Sequence, residues 1–271
     1  MPELPEVETI KGQLEQILPF KVLDQERSDV FDSLLRKDDK KTPFKIQNKT
    51  IIKIERKGKA LRFYFDDGMN LLSHLGMSGS WRISKTEINE KHTHLLLQGT
   101  QYFLAYIDPR RFGKIALLTN DQIESRLSKL GVDISEEGFT KEYIKSCLKK
   151  SPERKIKPFL LEQKYFAGIG NYIACEILAL AGIRPTRQNK NITLNECEKI
   201  RISALKVING QIENNGLTFS GGYADAFGNK GEGVQNLVVF HQKSCGICNK
   251  TEVKKIVLAQ RGTYYCPNCQ K

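Results

Sequence analysis

The sequence predicts an α+β chain of several domains: an antiparallel β-sandwich with a helix at its N-terminus, a helical domain, and a small cysteine-rich ribbon at the C-terminus. Three observations carry that prediction. Apolar residues recur by threes and fours near the N-terminus and again beyond residue 120, they recur by twos between about 50 and 118, and four of the seven cysteines fall within the last 27 residues.

The N-terminal helix rests on Val7, Ile10, Leu14, Ile17 and Leu18, with Pro5 in its first turn and Pro19 closing it. Glu3 and Glu6 then lie at the positive end of its dipole. Ile52 and Ile54, then Leu61, Phe63 and Phe65, alternate with polar neighbours. Further strand-like runs follow at 69–75, 81–84, 93–98, 102–107 and 113–118, separated by glycine-bearing turns. Short strands at this spacing favour an antiparallel sandwich or barrel.

Ile123, Leu127 and Leu130 mark a short helix, and the polar stretch about 135–138 reads as a linker. Lys157–Phe166 and Asn171–Ala181 read as helices joined by the tight Gly168-Ile169-Gly170 turn. Another helix begins at Thr193, with Glu196 completing a capping box. Residues 215–233 are rich in glycine and poor in large apolar groups, which predicts a mobile loop. Leu237–Phe240 reads as a strand leading into the ribbon. The expected domains are 1–131, a linker at 132–140, a helical domain at 141–233 with a flexible loop at 216–233, and a zinc finger at 237–271.

The formal net charge is +12, and its distribution is uneven. Residues 1–140 carry 22 basic and 21 acidic side chains, a balance of +1, while residues 141–271 carry 21 and 10, a balance of +11. Such a surplus points to a polyanion, and the lack of a basic amphipathic anchor favours nucleic acid over lipid. The sequence has no apolar run near the roughly 18 residues of a membrane span and begins with carboxylates instead of a basic leader. A soluble, unexported chain is expected.

Cys245-x2-Cys248 and Cys266-x2-Cys269, seventeen residues apart, match the double-knuckle spacing of a four-thiolate zinc site. Four cysteines leave no open coordination position, so the expected Zn2+ is structural. Cys147, Cys175 and Cys197 lie on helical segments and read as core residues. Between the knuckles, Gln260-Arg261-Gly262-Thr263-Tyr264 forms a basic and aromatic hairpin. By itself this is a solvated hairpin as readily as a phosphate contact. The Gly168–Asn171 turn could present helix amides to a phosphate, although it lacks the lysine and hydroxyl of a P-loop.

Pro2 follows the initiator methionine, and removal of Met1 would expose a secondary amine. An α-amino group has a pKa of ~8, against ~10.4 for lysine, so part of it is unprotonated at neutral pH. Condensed with an aldehyde carbon, it forms an iminium that withdraws electrons, and Glu3 beside it could move the protons. Taken alone, Pro2 and Pro5 read first as residues that shape the entry into the helix.

Six separated motifs change that reading. Pro2-Glu3-Leu4-Pro5-Glu6-Val7-Glu8-Thr9, His74-Leu75-Gly76-Met77-Ser78-Gly79, Asp108-Pro109-Arg110-Arg111-Phe112-Gly113, Ile156-Lys157-Pro158, Gly168-Ile169-Gly170-Asn171 and Gln260-Arg261-Gly262-Thr263-Tyr264-Tyr265-Cys266 together resemble the formamidopyrimidine-DNA glycosylase/endonuclease VIII family, in the family's order. The resemblance implies a bifunctional DNA glycosylase and AP lyase of base-excision repair, removing oxidised purines (8-oxoguanine and formamidopyrimidines) from duplex DNA and cutting the strand by β,δ-elimination. It implies a helix-two-turn-helix domain between the sandwich and the zinc finger. Pro2 would be the nucleophile at C1′ and Glu3 the proton donor and acceptor. Glu6 would support the site, and Lys59 would contact phosphate near the lesion.

Met77, Arg110 and Phe112 would fill the space left by an extruded base. Asn171 and Arg261 would hold the phosphates flanking the flipped nucleotide, Lys157 would lie close to them, and Lys157 and His92 join the DNA-binding set. The resemblance further implies a monomeric bacterial cytoplasmic enzyme, associated with nucleoid DNA and not with membrane, whose substrate is double-stranded DNA with oxidised bases or abasic sites.

Gly58-Lys59-Ala60-Leu61, the order Tyr172-Ile173, and Val239-Phe240-His241 instead resemble the endonuclease VIII branch, which acts on oxidised pyrimidines. Leu4-Pro5-Glu6-Val7, Met77 and the Arg110/Phe112 pair resemble the purine branch. A third reading, a non-catalytic zinc-ribbon DNA-binding protein, is opposed by Pro2, Glu3 and Lys59, which share no structural purpose. It predicts equal affinity for damaged and undamaged duplex.

Overall fold

The computed structural model describes residues 2–219 and 222–271. The expected loss of Met1, and the part of the expected mobile loop at Ser220 and Gly221, lie outside the described residues. In order, the elements are α1 (Leu4–Glu15), β1 (Phe20–Lys21), β2 (Asp24–Arg27), β3 (Thr50–Lys57), β4 (Ala60–Phe65), β5 (Asn70–His74), β6 (Ser80–Ser84), β7 (Thr93–Gln98), β8 (Phe103–Ile107), β9 (Lys114–Leu118), α2 (Asn120–Leu127), β10 (Val132–Asp133), α3 (Lys141–Lys149), α4 (Ile156–Leu160), β11 (Phe166–Ala167), α5 (Asn171–Leu180), α6 (Leu194–Glu213), β12 (Lys254–Leu258) and β13 (Arg261–Tyr265).

The chain divides into two compact units. The first runs to Ser128 and includes Asn214–Glu232, and the second comprises Lys129–Glu213 with Gly233–Lys271. In the first unit, β1-β3-β4-β5-β9 and β2-β7-β8-β6 form two antiparallel sheets, the sandwich that the period of two predicts. Their inward residues, among them Phe63, Trp81, Leu95, Leu104, Tyr106 and Ile115, share one core with Val7, Ile10 and Leu14 of α1. The buried indole of Trp81 donates to Ser73 Oγ at 3.0 Å, so the largest side chain of the core has its N–H satisfied.

The Asn214–Glu232 segment, which the sequence reading assigns to the helical domain, belongs instead to the first unit. Tyr223 and Ala226 enter its core, and the Ala226 carbonyl accepts the Ile83 N–H of β6 at 2.7 Å. Few large apolar residues are needed where Leu217 and Tyr223 are buried and the N–H groups of Leu217 and Ala226 are hydrogen-bonded.

In the second unit, Thr140 caps α3, and Ile144, Cys147 and Leu148 point into the interior. The expected helix over 157–166 is corrected to a single turn, α4. The chain then turns, and Phe166–Ala167 pairs in parallel with Val132–Asp133, a non-local pairing that local periodicity does not register. The Thr193–Glu196 capping box forms as expected at α6, with the Thr193 N–H donating to Glu196 at 2.8 Å and the Glu196 N–H to Thr193 Oγ1 at 3.2 Å. Cys147, Cys175 and Cys197 are buried, as expected of core residues.

Leu237–Phe240 is not a strand. The N–H groups of Val238, Val239 and Phe240 donate to the buried carboxylate of Glu176 on α5, at 2.7, 3.0 and 2.7 Å. A side chain thus takes the place of a neighbouring strand. Burial pushes the Glu176 carboxyl up from its ordinary value, while the three N–H donors act in the opposite direction.

Candidate functional site

In the first unit, Pro2 is buried immediately ahead of α1, and Glu3 is its N-cap residue. The Glu6 carboxylate divides its two oxygens. Oε2 accepts from the Glu3 N–H at 2.7 Å and Oε1 from the Leu217 N–H at 2.9 Å. Glu3 and Glu6 are 3% and 1% exposed. The pair fixes the backbone beside Pro2 and holds the start of the glycine-rich segment against the same carboxylate. A side chain at Gly216 would press on Glu6 Cγ at 2.9 Å, so this approach requires glycine.

Lys59 lies in the two-residue turn between β3 and β4, where Gly58 takes a φ of +58°. The Arg56 side chain ties the turn to α1. Arg56 donates Nη1 to the Gly58 carbonyl and Nε to Glu8 on α1. Strand pairing sets His74 opposite Ala60, next to Lys59. His74 keeps an exposed edge, yet burial of its imidazole and the positive charges of Lys59 and Arg36 push its pKa down to about 4. Its Nδ1 accepts the Gly76 N–H at 3.1 Å, which leaves Nε2 as the protonated nitrogen of the neutral ring. Lys59, Arg36 and a neutral donor therefore form a cluster suited to an anion. His74 stands inside a motif quoted above, but only strand register shows it beside Lys59.

The candidate wedge residues are carried by two loops built against each other. A Cβ at Gly76 would meet the backbone of Phe112 and Gly113 at 2.5 Å, so the turn at 76–79 and the loop at 108–113 touch main chain to main chain. Asp108, fully buried, accepts from Ser78 Oγ at 2.5 Å, the Gly113 N–H at 2.8 Å and the Arg110 N–H at 3.3 Å. This leaves Met77 and Phe112 exposed, at 41% and 51%, with the Arg110 guanidinium 4.6 Å from the Phe112 ring centre. His92 is exposed and has a φ of +68°; its carbonyl accepts the Asp108 N–H at 3.1 Å, which places it next to this loop. Two apolar side chains and one planar cation held out in solvent are chemically suited to stack into a disrupted base pair.

In the second unit, Asn171 is the first residue of α5. Its Oδ1 accepts from Lys157 Nζ at 2.5 Å, and its Nδ2 donates to the Gly262 carbonyl of β13 at 3.0 Å. Lys157, expected in the DNA-binding set close to the phosphates, is fully buried and donates to Asn171. Arg261 is exposed at the start of β13, after a two-residue turn in which Ala259 and Gln260 both take positive φ, 46° and 59°. Asn171 thus joins the α5 N-terminus to the hairpin that carries Arg261.

The Sγ atoms of Cys245, Cys248, Cys266 and Cys269 all lie within 4.8 Å of one another, with Cys245–Cys269 and Cys248–Cys266 both at 3.9 Å. Tetrahedral zinc with Zn–S bonds of about 2.3 Å requires thiolates about 3.8 Å apart. The N–H groups of Ile247 and Cys269 approach Cys245 and Cys266 Sγ at 3.4 Å, where they help to orient the sulfurs and offset their negative charge. The donor set fits one structural zinc ion.

Comparison with known proteins follows the same division. The formamidopyrimidine-DNA glycosylase N-terminal domain matches residues 1–115, the formamidopyrimidine-DNA glycosylase H2TH domain residues 130–221, and a zinc finger found in FPG and IleRS residues 242–271. The formamidopyrimidine-DNA glycosylase of an Exiguobacterium species is 36% identical over 279 residues, covering all of both chains, and that of Lactococcus lactis is 34% identical over 277 residues with the same coverage. The fold is similar to that of Lactococcus lactis Fpg in complex with DNA containing an abasic site, with a TM-score of 0.89 at 33% identity, and in complex with DNA containing an oxidised pyrimidine, with a TM-score of 0.87 at 33% identity. Both comparisons cover the full length of each chain.

Proposed function

The chain belongs to the formamidopyrimidine-DNA glycosylase family, and from that premise we propose that it removes oxidised bases from duplex DNA and cleaves the strand through a covalent adduct at Pro2. The family assigns the chemistry to base-excision repair by a DNA glycosylase with AP lyase activity. The observation that carries the residue assignment is Glu6. One carboxylate holds the Glu3 N–H and the Leu217 N–H together, so the two acidic residues and the residue ahead of them form one rigid group at the end of a buried helix.

Once Met1 is absent, the Pro2 nitrogen is a secondary amine. It attacks C1′; the N–C1′ bond forms as the glycosidic bond breaks, and the base leaves with that electron pair and takes up a proton. Opening of the sugar at O4′ gives an iminium, which acidifies the C2′ hydrogen. Loss of that proton expels the 3′ phosphate, and a second elimination expels the 5′ phosphate. Glu3, at Pro2, receives and returns the protons. Lys59, with Arg36 and the neutral His74, holds a phosphate beside the reacting sugar.

Met77, Arg110 and Phe112 enter the duplex where the base has left, offsetting the few kcal/mol of lost stacking and pairing. His92 borders that loop and joins the contact. In the second unit, Asn171 and Arg261 contact phosphates, and Lys157 holds Asn171 in place. Zinc, when bound by the four cysteines, fixes the ribbon that presents Arg261 and takes no part in the chemistry. The enzyme acts as a monomer in the bacterial cytoplasm, on nucleoid DNA; among the described residues no helix is long and apolar enough to cross a membrane.

Oxidised purines are the first substrate class, on the Met77/Arg110/Phe112 set. Ala60 after Lys59 favours testing oxidised pyrimidines beside them. Borohydride trapping decides. A covalent band on duplex with 8-oxoguanine opposite cytosine, lost in Pro2→Gly, supports the purine reading. Trapping confined to 5-hydroxyuracil duplex moves the chain to the pyrimidine reading, and no trapping on any lesion or on an abasic duplex overturns the enzyme.

A further inference from the structure

Helix α1 grips the Asn214–Glu232 segment at two points on one face, seven residues apart. Glu6 holds Leu217. Two turns later Gln13, half-buried, uses both ends of its amide: Oε1 accepts the Ala226 N–H at 2.7 Å and Nε2 donates to Asp225 Oδ2 at 2.8 Å. Asp225 is 2% exposed and is itself a junction. Its Oδ1 accepts the N–H groups of Phe227 at 3.0 Å and Asn229 at 2.7 Å, and its carbonyl accepts from Arg82 Nη1 at 2.8 Å.

A buried carboxylate that turns one oxygen to the backbone of its own loop and shares the other between a glutamine on α1 and, at 3.4 Å, the Asn229 side-chain amide couples the loop's shape to the helix. That helix begins beside Glu3 and Pro2. The Gly216–Leu217 backbone touches Glu6, so chain held by α1 borders the end of the helix to which the proposed function brings the sugar and its base. An abasic sugar carries no base to place against it.

We propose that Gln13 and Asp225 are positioning residues for base excision: their clasp holds Asp225 and Ala226 in register with α1, as Glu6 holds Leu217, and it sets the rate of the glycosylase step while leaving the lyase step on a preformed abasic site unaffected. This rests on the glycosylase reading above.

The geometry supplies a reciprocal test. In Gln13→Glu two carboxylates face each other, and in Asp225→Asn two amide nitrogens do. When both substitutions are combined, the amide at position 225 keeps its oxygen on the Phe227 and Asn229 N–H groups and turns its nitrogen to the carboxylate at position 13, and the exposed Asn229 side chain rotates to offer its oxygen in place of its nitrogen. The other oxygen of that carboxylate still accepts the Ala226 N–H. Single-turnover excision on lesion duplex should fall about tenfold in each single variant, the worth of one broken hydrogen bond to a charged group, and recover to within about threefold in the double variant. Cleavage of abasic duplex should change less than about twofold throughout.

Equal losses in excision and lyase activity, or no recovery in the double variant, overturn the proposal. Wild-type protein inactive on every duplex would instead sink the glycosylase reading. Amide exchange at Ala226 and Ile83, fast in the single variants and slow in the double, then still reads the clasp, and unchanged exchange in the single variants overturns it.

Discussion

Arg56 donates Nε to Glu8 Oε2 at 2.6 Å while its Nη1 holds the Gly58 carbonyl at 3.0 Å. One guanidinium thereby fixes the distance between the helix that carries Pro2 and the turn that carries Lys59. The Arg56 side chain is only 7% exposed, so the pair is screened less than a surface ion pair. Arg56→Lys cannot make both contacts. Excision and lyase rates should both fall about 10- to 100-fold, the cost of displacing by about 1 Å the phosphate contact proposed for Lys59, with melting temperature little changed. Single-turnover kinetics on lesion and abasic duplexes check this, and wild-type rates would show that the turn holds itself in place.

Glu176 answers three backbone N–H groups that have no strand to pair with. Glu176→Ala takes the carboxylate acceptor from all three, at a cost of about 3 kcal/mol. Denaturant unfolding should show the loss. Because the residue lies away from Pro2 in sequence and in the other unit, trapping activity per folded molecule should not change.

The alternation across β4 and β6 is legible because one face of each lies in the core, so hydropathy repeats every two residues. Strands β7, β8 and β9 are instead buried on both faces, with Leu96, Ala105 and Ile107 in one outer cluster and Ala116, Leu118 and Ile123 in another, and read as continuous apolar runs. Asp24–Arg27 escapes because all four residues are polar; β2 is recognised only through its pairing with β7. Helix α3 is within reach of sequence reading, since Thr140 and the Ile144/Cys147/Leu148 spacing are ordinary signals. The 237–240 segment is not, because its N–H groups are satisfied by a glutamate far earlier in the chain. At the site, motif order points to Pro2, Glu3, Glu6 and Lys59 by resemblance, as the proposed function uses them. Gln13, Asp225 and Arg56 carry no motif, and their partners appear only after folding.

Asn171 links Lys157 to Gly262, and through it the α5 N-terminus to the Arg261 hairpin. Asn171→Ala breaks both bonds and takes an acceptor from the buried Lys157 ammonium. DNA affinity should drop about tenfold or more, and stability should fall with it. Arg261→Ala should leave stability untouched and flatten the slope of log affinity against log salt by about one, the signature of one lost phosphate contact. Fluorescence anisotropy across a salt series separates the two, and an unchanged slope in Arg261→Ala would remove that residue from the DNA.

The ribbon needs its metal because it has few apolar residues of its own. Cys266→Ser or chelation should release about one zinc per chain, increase protease sensitivity over 242–271 and weaken DNA binding. The Pro2 amine lies in the other unit, so adduct formation at saturating abasic DNA should persist. Full zinc content in Cys266→Ser, with unchanged affinity, would remove the structural role.

His74 provides a pH test with a defined direction. Its folded-state pKa is lowered to about 4 from an ordinary 6.5, so between those values the unfolded chain binds the proton more readily than the folded one. The contribution of His74 to stability is therefore complete above about pH 6.5 and is lost as pH falls toward 4. Protonation must also break the Gly76 N–H bond to Nδ1. His74→Gln should flatten this part of the stability-against-pH curve. Without DNA the imidazole should titrate near 4 by NMR, and bound phosphate should raise that value by favouring the cationic ring. A titration near 6.5 in the free protein would mean that neither burial nor the charges of Lys59 and Arg36 act on the ring, and the anion cluster around Lys59 would lose its basis.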